Sequence, residues 1–179
     1  ATRAPDWGQV MAASTLVAVP VIIFFLIVQG RLTSGLVAGA VIAPLHHPLT
    51  LAKQLGTLDL LSEGRLVVLP TVSWHRDEYD ALGVPFGERG RILDEQLEVL
   101  AKAWGPQPFR HDGRYFSFDD VWVEPGAYRP TGPALWFGGQ GMHEPLVRRI
   151  ARYGQGLNPF GPLTDDDFTM LRQGMAAAG

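Results

Sequence analysis

Cysteine is absent from all 179 residues of the chain. This absence excludes a disulfide framework, a thiolate nucleophile and any metal or cluster site ligated by cysteine. Positive charge is also scarce, because 15 Lys and Arg residues are outnumbered by 18 Asp and Glu, which gives a formal net charge of −3. The sequence therefore carries no basic field that would neutralise phosphates, and nucleic acid is not an expected partner.

Metal and hydrolase motifs are missing as well. No Gly-x-Ser-x-Gly elbow is present, so the nucleophile of an α/β-hydrolase has no position. The histidines follow no metal-ligand spacing, and no metal site is predicted. These histidines are His46, His47, His75, His111 and His143.

One long run lacks charge altogether. Between Val10 and Val28 about 19 residues carry no charged side chain, and at 1.5 Å per helical residue this length matches a bilayer core. The run predicts a transmembrane helix, and Arg31 favours a cytoplasmic position for the residues after the helix. The alternative is a buried element of a soluble fold. The sequence thus predicts two parts, a membrane-associated segment at residues 1–40 and a cytoplasmic, enzyme-like part at residues 41–179.

The second part alternates helical and strand patterns. Apolar residues at intervals of three and four predict helices at Pro48–Gly64 and Glu88–Trp104. Their apolar faces are Leu51, Leu55, Leu58 and Leu61 in the first helix and Leu93, Leu97, Leu100 and Trp104 in the second.

Further elements are predicted from turn and cap residues. The expected elements are a strand at Arg65–Leu69, a hairpin around Asp112-Gly113, a strand at Ala134–Phe137, a helix at Pro145–Tyr153, and a last helix capped by Thr164 with Asp165 to Asp167 in its first turn. Single strands alternating with helices predict an α/β fold with a parallel sheet.

Gly138, Gly139 and Gln140 lie between a predicted strand and a predicted helix. Backbone N–H groups in such a turn, together with the helix dipole, favour a phosphate, and glycine lets it approach the main chain. The alternative is a turn that needs glycine for steric reasons alone. The segment is not a Rossmann fingerprint, because Glu144 occupies the place of the third glycine.

Residues Asp6 to Ala13, Leu16, Pro20 and Arg31 to Val41 resemble the C-terminal end of carbohydrate ABC transporter permeases. The resemblance covers about residues 1–40 and implies the last membrane span and the cytoplasmic tail of a permease. It implies no catalytic role.

A longer series of motifs occurs in a fixed order over about residues 41–160. The motifs include His47-Pro48-Leu49, Ala52-Lys53-Gln54-Leu55, Gly64-Arg65-Leu66, Ala81-Leu82-Gly83-Val84-Pro85-Phe86, Gly113-Arg114-Tyr115-Phe116 and Trp136-Phe137-Gly138-Gly139. They resemble the luciferase-like flavin oxidoreductases, above all the members that use the deazaflavin coenzyme F420.

This resemblance implies a TIM-type (β/α)8 barrel with the flavin at the C-terminal ends of the strands. On that map, Val41 and Ile42 end the third strand, and the fourth to sixth strands are Arg65–Leu69, Ala134–Phe137 and Gly156–Pro159. The expected fold is therefore an incomplete barrel of about four βα units, preceded by the transmembrane-like helix.

The resemblance also implies cofactor-binding residues. Gly138, Gly139 and Gln140 match the turn that helps to hold the cofactor phosphate. After the fourth strand the family usually has glycines, whereas Leu69 to Ser73 carry side chains that crowd a cofactor there. Thr71 and Ser73 can instead donate hydroxyl hydrogen bonds. Trp74 either forms a wall of the flavin or substrate site or packs in the core.

His47 is the catalytic candidate, since it matches the family position at a predicted strand end. An imidazole there can donate a proton or hydrogen-bond the flavin. Helix capping and loop packing are the alternatives for His47.

Three functions are compatible with these patterns. The first is an oxidoreductase or monooxygenase that uses FMN or F420 on a small organic substrate, with the flavin supplying the redox chemistry. The second is a permease tail with a passive fused segment. The third is a fusion of two gene fragments near Gly39 to Val41, in which the enzyme piece is truncated and inactive. The sequence leaves the choice between FMN and F420, the substrate and the oligomeric state open.

Overall fold

A computed structural model of the protein describes Val19 and residues 39–178. The rest of the Val10–Val28 run and nearly all of the permease-like residues lie outside this part. Among the residues that are described, no helix is long and apolar enough to cross a membrane. The transmembrane helix and the boundary between residues 40 and 41 therefore stay predictions.

Four parallel strands form the main sheet, in the spatial order β1, β2, β5, β6. The strands along the chain are β1 (Gly39–Ile42), β2 (Val67–Thr71), β3 (Phe109–Asp112), β4 (Ser117–Val121), β5 (Ala134–Phe137) and β6 (Gly156–Leu157). Gly39 lies opposite Val68, and Ile42 lies opposite Thr71. β5 pairs with β2 and β6 with β5 in the same parallel sense, which confirms the predicted α/β sheet.

Helices connect these strands and extend beyond the last of them. They are α1 (Pro48–Leu61), α2 (Arg76–Ala81), α3 (Arg89–Ala103), α4 (Glu144–Tyr153) and α5 (Asp165–Ala178). The four longer helices confirm the sequence prediction, with ends that differ by a few residues. Proline opens α1 and stands at the second position of α4, where a missing N–H removes no intrahelical bond.

The apolar face of α1 is narrower than its leucine spacing predicts. Leu51 and Leu55 are buried, but Leu58 and Leu61 are 49% and 76% exposed, so the prediction is wrong for these two residues. Asp59 is buried in their place, and its carboxylate accepts a hydrogen bond of 3.2 Å from the amide of Arg129. The last turn of α1 is therefore fixed by this polar contact.

Helix α3 supplies the centre of the core. Leu93, Leu97 and Leu100 are at most 2% exposed, and Trp104 is 7% exposed, which confirms the predicted face. These side chains belong to one cluster with residues from β2 and β5. Burial of each such leucine stabilises the fold by roughly 1.5–3 kcal/mol.

Strands β3 and β4 pair antiparallel, which confirms the hairpin predicted at Asp112-Gly113. A carboxylate from α3 fixes the hairpin loop. The Glu95 oxygens accept hydrogen bonds of 2.8 to 3.1 Å from the amides of Arg114, Tyr115 and Phe116.

Three strand boundaries differ from the sequence prediction. β2 begins at Val67 rather than Arg65, because the amide of Arg65 still bonds back to the carbonyl of Ser62 in the preceding turn. β6 ends at Leu157 rather than Pro159, since the chain then leaves the ladder. β2 ends at Thr71 rather than Leu69, because the ladder with β1 continues to the pair Ile42 and Thr71.

Candidate functional site

The four parallel strands end at the same edge of the sheet. Their last residues are Ile42, Thr71, Phe137 and Leu157. Ligands of α/β sheets bind beyond the carboxyl ends of the strands, where connecting loops meet. Every cofactor or catalytic residue predicted from the sequence lies on this edge or directly beyond it.

Gln96 fixes the segment that comes after β1. Its side chain in α3 is fully buried, and Nε2 donates to the carbonyl oxygens of Ala43 at 2.9 Å and of His46 at 2.7 Å. Its Oε1 is buried without a hydrogen-bond partner among the described residues. A core helix thus sets the position of the chain immediately before His47.

His47 is exposed and caps α1. Its Nδ1 accepts a hydrogen bond of 3.3 Å from the amide of Leu49. A ring nitrogen that accepts carries no proton, so the neutral ring bears its hydrogen on Nε2. The ring also meets Phe116 edge-on, with centroids 5.7 Å apart. The capping alternative is therefore present in the structure, and Nε2 is the atom that can donate to a ligand.

The segment after β2 is held by local hydrogen bonds. The Thr71 hydroxyl donates to the carbonyl of Val41 across a distance of 3.5 Å. The amide of Ser73 donates to the Tyr79 hydroxyl at 3.3 Å, and the Ser73 hydroxyl accepts from the amide of His75 at 3.0 Å. The Ser73 O–H is still able to donate, because its oxygen acts here as an acceptor.

Two large aromatic side chains stand exposed beyond the same edge. Trp74 is 84% exposed and meets His75 edge-on at 5.3 Å between centroids, so the core alternative for Trp74 is wrong. Phe160, in the segment after β6, is 61% exposed. Exposed aromatic rings at a ligand edge provide flat apolar surface for a ring system.

Gly138 is required by internal packing. A Cβ at this position would lie 1.8 Å from the carbonyl oxygen of Asn158, in the segment after β6. The amide of Asn158 also donates to the carbonyl of Phe137 at 2.8 Å. The steric alternative therefore explains Gly138 without any ligand.

Gly139 has no such internal reason. A Cβ there would lie 3.6 Å from Leu146 Cδ2, which is ordinary van der Waals contact. Within residues 39–178, no group accepts a hydrogen bond from the amides of Gly139 or Gln140. These two N–H groups are open to an anion from outside the sheet.

Part of the N-terminus of α4 is already satisfied by the protein itself. His143 Nδ1 accepts from the amide of Leu146 at 3.3 Å, and Pro145 has no N–H. The amide of Met142 donates to Asp167 Oδ1 at 2.6 Å. Glu144 adds negative charge in the first turn, which disfavours an anion. An incoming phosphate would therefore meet the amides of the glycine turn rather than those of the helix.

Three titratable groups near this edge have pKa values shifted in the direction that favours their hydrogen bonds. Desolvation, followed by the nearby Arg149 charge, lowers the pKa of His143 from its ordinary 6.5 and keeps its ring a neutral acceptor. Amides of Thr164 and then Met142 lower the pKa of the Asp167 carboxyl from 3.8. Burial raises the pKa of Tyr79 above 10.0, so its hydroxyl stays protonated.

Some of the predicted site residues are linked by direct contacts in the structure, and others are not. The glycine turn contacts the segment after β6, where the amide of Phe160 donates to the Gly139 carbonyl at 3.1 Å. In the described part, no hydrogen bond or ring contact links His47 with Trp74 or with the glycine turn.

Sequence reasoning misses three residues of this edge. Gln96 is a polar residue inside an apolar helical face, which is a detectable signal. Asp167 forms a capping box with Thr164, with its carboxylate at 2.8 Å from the Thr164 amide, and its additional bond to Met142 has no sequence signal. Asn158 is positioned by the packing of two loops against each other, and the sequence carries no signal for this position either.

These features define a class, an α/β protein with a parallel sheet and a ligand site at the carboxyl ends of its strands. A family model described as luciferase-like monooxygenase matches residues 33–179. An uncharacterised protein of Mycobacterium tuberculosis is 37% identical over 145 residues, covering 79% of this chain and 51% of that protein. The FMNH(2)-dependent dimethylsulfone monooxygenase of Pseudomonas putida is 29% identical over 106 residues, covering 58% of this chain and 29% of its own length.

Solved structures share the fold. The monooxygenase RslO1 from Streptomyces bottropensis has a TM-score of 0.68 and 26% identity, covering 79% of this chain and 44% of its own. An F420-dependent secondary alcohol dehydrogenase has a TM-score of 0.57 at 20% identity, covering 75% of this chain and 42% of its own.

The chain belongs to the luciferase-like monooxygenase family. It spans about half the length of the mycobacterial relative. The resemblance of residues 1–40 to a permease receives no support from these comparisons.

Proposed function

We propose that this chain supplies the phosphate-binding side of a flavin site in a monooxygenase that acts on a small organic substrate. The observation that carries the proposal is the pair of open amides at Gly139 and Gln140, beyond the carboxyl end of β5. When bound, the flavin supplies the redox chemistry, while the protein binds it, orients it and excludes water.

FMN is the favoured cofactor. A relative whose name states dependence on FMNH(2) supports it, whereas the F420-dependent structure at 20% identity supports the fold alone. F420 remains the second candidate, because it also carries a phosphate that can accept from the same amides. Both ligands therefore enter the test.

The remaining predicted residues have roles in this proposal. His47 donates from Nε2 to the flavin or substrate, as its Nδ1 already accepts from Leu49. The Ser73 hydroxyl donates to the cofactor, and Thr71 is the weaker donor since it already faces Val41. The exposed indole of Trp74 packs against a ring of the flavin or substrate.

The fold assignment belongs to the same proposal. β1, β2, β5 and β6 correspond to the third to sixth strands of a (β/α)8 barrel. The parallel order of the four strands and the TM-score of 0.68 to a monooxygenase support this correspondence.

The test is a titration of the full chain with FMN, F420 and riboflavin, monitored by quenching of ligand fluorescence. Riboflavin lacks the phosphate, so the difference between its Kd and that of FMN isolates the phosphate contact. We expect Gly139→Ala to weaken FMN binding about tenfold or more, since a new methyl group blocks a charge-assisted bond worth roughly 1.5–3 kcal/mol. Riboflavin binding should change little.

Gly161→Ala is the matched control, because a Cβ at Gly161 meets nothing within 4 Å. It should leave the Kd of FMN unchanged. Equal Kd values for FMN and riboflavin in the parent chain, or equal effects of Gly139→Ala on both, would show that the glycine turn does not bind phosphate.

A further inference from the structure

The loop of the β3–β4 hairpin is held by more hydrogen bonds than its turn requires. The amide of Gly113 donates to the carbonyl of Phe116 at 2.9 Å, and this bond alone closes the turn. The three amides that follow Gly113 also donate to the Glu95 carboxylate in α3, at 2.8 to 3.1 Å. Hydrogen bonds to a charged acceptor are roughly twice as strong as neutral ones. The loop is therefore fixed to α3 as well as closed on itself.

Further contacts fix the same loop near the start of α3. Glu88, directly before α3, accepts hydrogen bonds from the Tyr115 hydroxyl and from Arg114 Nη2, the latter at 3.0 Å. A Cβ at Gly113 would collide with the Glu95 carboxylate, so the loop approaches α3 as closely as a glycine allows. A hairpin that only reversed the chain would need none of these contacts. The position of the loop is thus set by α3.

Phe116, the last residue of this loop, places its half-buried ring against His47. The two ring centroids are 5.7 Å apart with an interplanar angle of 82°, which is an edge-on arrangement. Within residues 39–178, Phe116 is the one aromatic side chain whose ring contacts that of His47. The segment before His47 is itself held by Gln96, the residue after Glu95. Consecutive side chains of α3 therefore hold both sides of this contact.

A second constraint matters for His47 because its hydrogen bond is long. Nδ1 accepts from the amide of Leu49 at 3.3 Å, whereas such bonds are usually about 2.9–3.0 Å. The second side-chain torsion of histidine has a broad energy well, so one long bond leaves the ring able to rock. An edge-on contact with an aromatic ring restricts that motion, since the attraction depends on the angle between the two rings.

We propose that Phe116 is a positioning residue of the site, which holds the His47 ring in one orientation and so presents Nε2 to the bound flavin. Phe116 itself touches no ligand and acts through His47 alone. This role at the ligand rests on the proposed function, whereas the orientation of the ring is a property of the chain by itself. The hairpin thus belongs to the site although it lies outside the parallel sheet.

The orientation is measured without any ligand, from the motion of the His47 ring. The full chain is labelled with ¹³C at histidine Cε1, and nuclear relaxation gives the order parameter of each Cε1–H bond, which reports picosecond to nanosecond motion. His47→Gln assigns the signal by its loss. Phe116→Leu keeps an apolar side chain but removes the ring, and it should lower the order parameter of His47 from about 0.85, typical of rigid groups, to below about 0.6. Phe116→Tyr keeps the ring and should retain the parent value.

Phe118→Leu is the matched control for the hairpin. Phe118 lies in β4 and packs edge-on against Phe109 with 5.6 Å between ring centroids, while within the described residues no ring contact joins it to His47. This variant loses aromatic packing inside the hairpin and should leave the order parameter of His47 unchanged. An equal decrease in Phe118→Leu and Phe116→Leu, or no decrease in Phe116→Leu, would overturn the proposal.

The consequence for the ligand is measured by a double-mutant cycle on the Kd of FMN. Phe116→Leu should weaken FMN binding about two- to tenfold, the range expected for the loss of one aromatic pair. The same substitution in a His47→Ala background should leave the Kd unchanged, because Phe116 acts through His47. Additive effects of the two substitutions, or no effect of Phe116→Leu on the Kd, would overturn the role at the ligand.

Failure of the proposed function is distinguishable from failure of this inference. If FMN does not bind the parent chain, the proposed function is wrong, and the order parameters by themselves decide whether Phe116 orients His47. If FMN binds and the cycle is additive, the flavin site stands and Phe116 has a structural role only.

Discussion

At the scale of single residues, the edge that carries the candidate site is positioned by side chains that would not touch a ligand. Gln96 reaches from α3 to two carbonyl groups after β1, and Glu95 on the same helix binds three amides of the hairpin loop. Both are polar groups within a helix whose neighbouring positions are buried leucines. Through these hydrogen bonds, α3 holds two separate loops in position.

Gln96→Met should loosen the segment after β1. The methionine has similar volume but donates no hydrogen bond, so the carbonyls of Ala43 and His46 lose their partner. Each buried acceptor left unpaired costs roughly 1–3 kcal/mol. We expect a lower free energy of unfolding in urea and faster amide hydrogen exchange at residues 46–49. Gln173→Met, at an exposed position of α5, serves as the control. Unchanged exchange at residues 46–49 would contradict this role.

At the scale of secondary-structure elements, α4 depends on the protonation of its cap. His143 accepts from the amide of Leu146 only while its ring is neutral, and its pKa is lowered in the folded protein. The unfolded chain therefore binds a proton more readily than the folded one. The stabilisation is complete above the ordinary pKa of 6.5 and is lost as the pH falls below it.

His143→Asn should flatten the pH dependence of stability. Asparagine keeps a side-chain acceptor at the N-cap but does not titrate. Between about pH 7 and pH 5, the free energy of unfolding should fall less steeply in this variant than in the parent chain. His75→Asn is the control, since His75 caps α2 without a side-chain hydrogen bond. Identical pH profiles for the parent chain and His143→Asn would exclude the cap as a titrating element.

The elements are also the scale at which the sequence predicts most of the fold. Leu93, Leu97 and Leu100 reveal α3 through their spacing, and Asp112-Gly113 reveals the hairpin through its turn residues. Leu58 and Leu61 mislead, because spacing describes a helix face but not how much of that face the rest of the protein covers. Bonds such as Gln96 to Ala43 span 53 residues, and such contacts leave no local pattern.

The candidate site is harder to predict from the sequence than the helices and strands that position it. Gly138 and Gly139 look alike in the sequence, yet one is required by the Asn158 carbonyl and the other leaves open amides. The sequence allows both a cap and a catalytic role for His47, and the structure contains the cap. Three-dimensional packing separates such cases, because the discriminating atoms of Asn158 belong to a different βα unit.

At the scale of the whole molecule, one helix links the sheet to the loops. The core cluster joins residues of α1, α3, β2, β5 and α4, so loss of packing at its centre affects every segment of the carboxyl edge. Domains of this size have a net stability of about 5–15 kcal/mol. The stability lost through a single large cavity is therefore a substantial fraction of this net stability.

Leu97→Ala tests this linkage. Leu97 is fully buried in α3, and truncation of a buried leucine costs roughly 2–5 kcal/mol through lost transfer energy and the cavity that remains. Leu82→Ala is the matched control, because Leu82 is 60% exposed. In urea unfolding of the full chain, Leu97→Ala should lower the midpoint strongly, and hydrogen exchange should accelerate in β2, β5 and the hairpin together. Acceleration confined to α3 would show that the sheet and the hairpin are stabilised independently of this core.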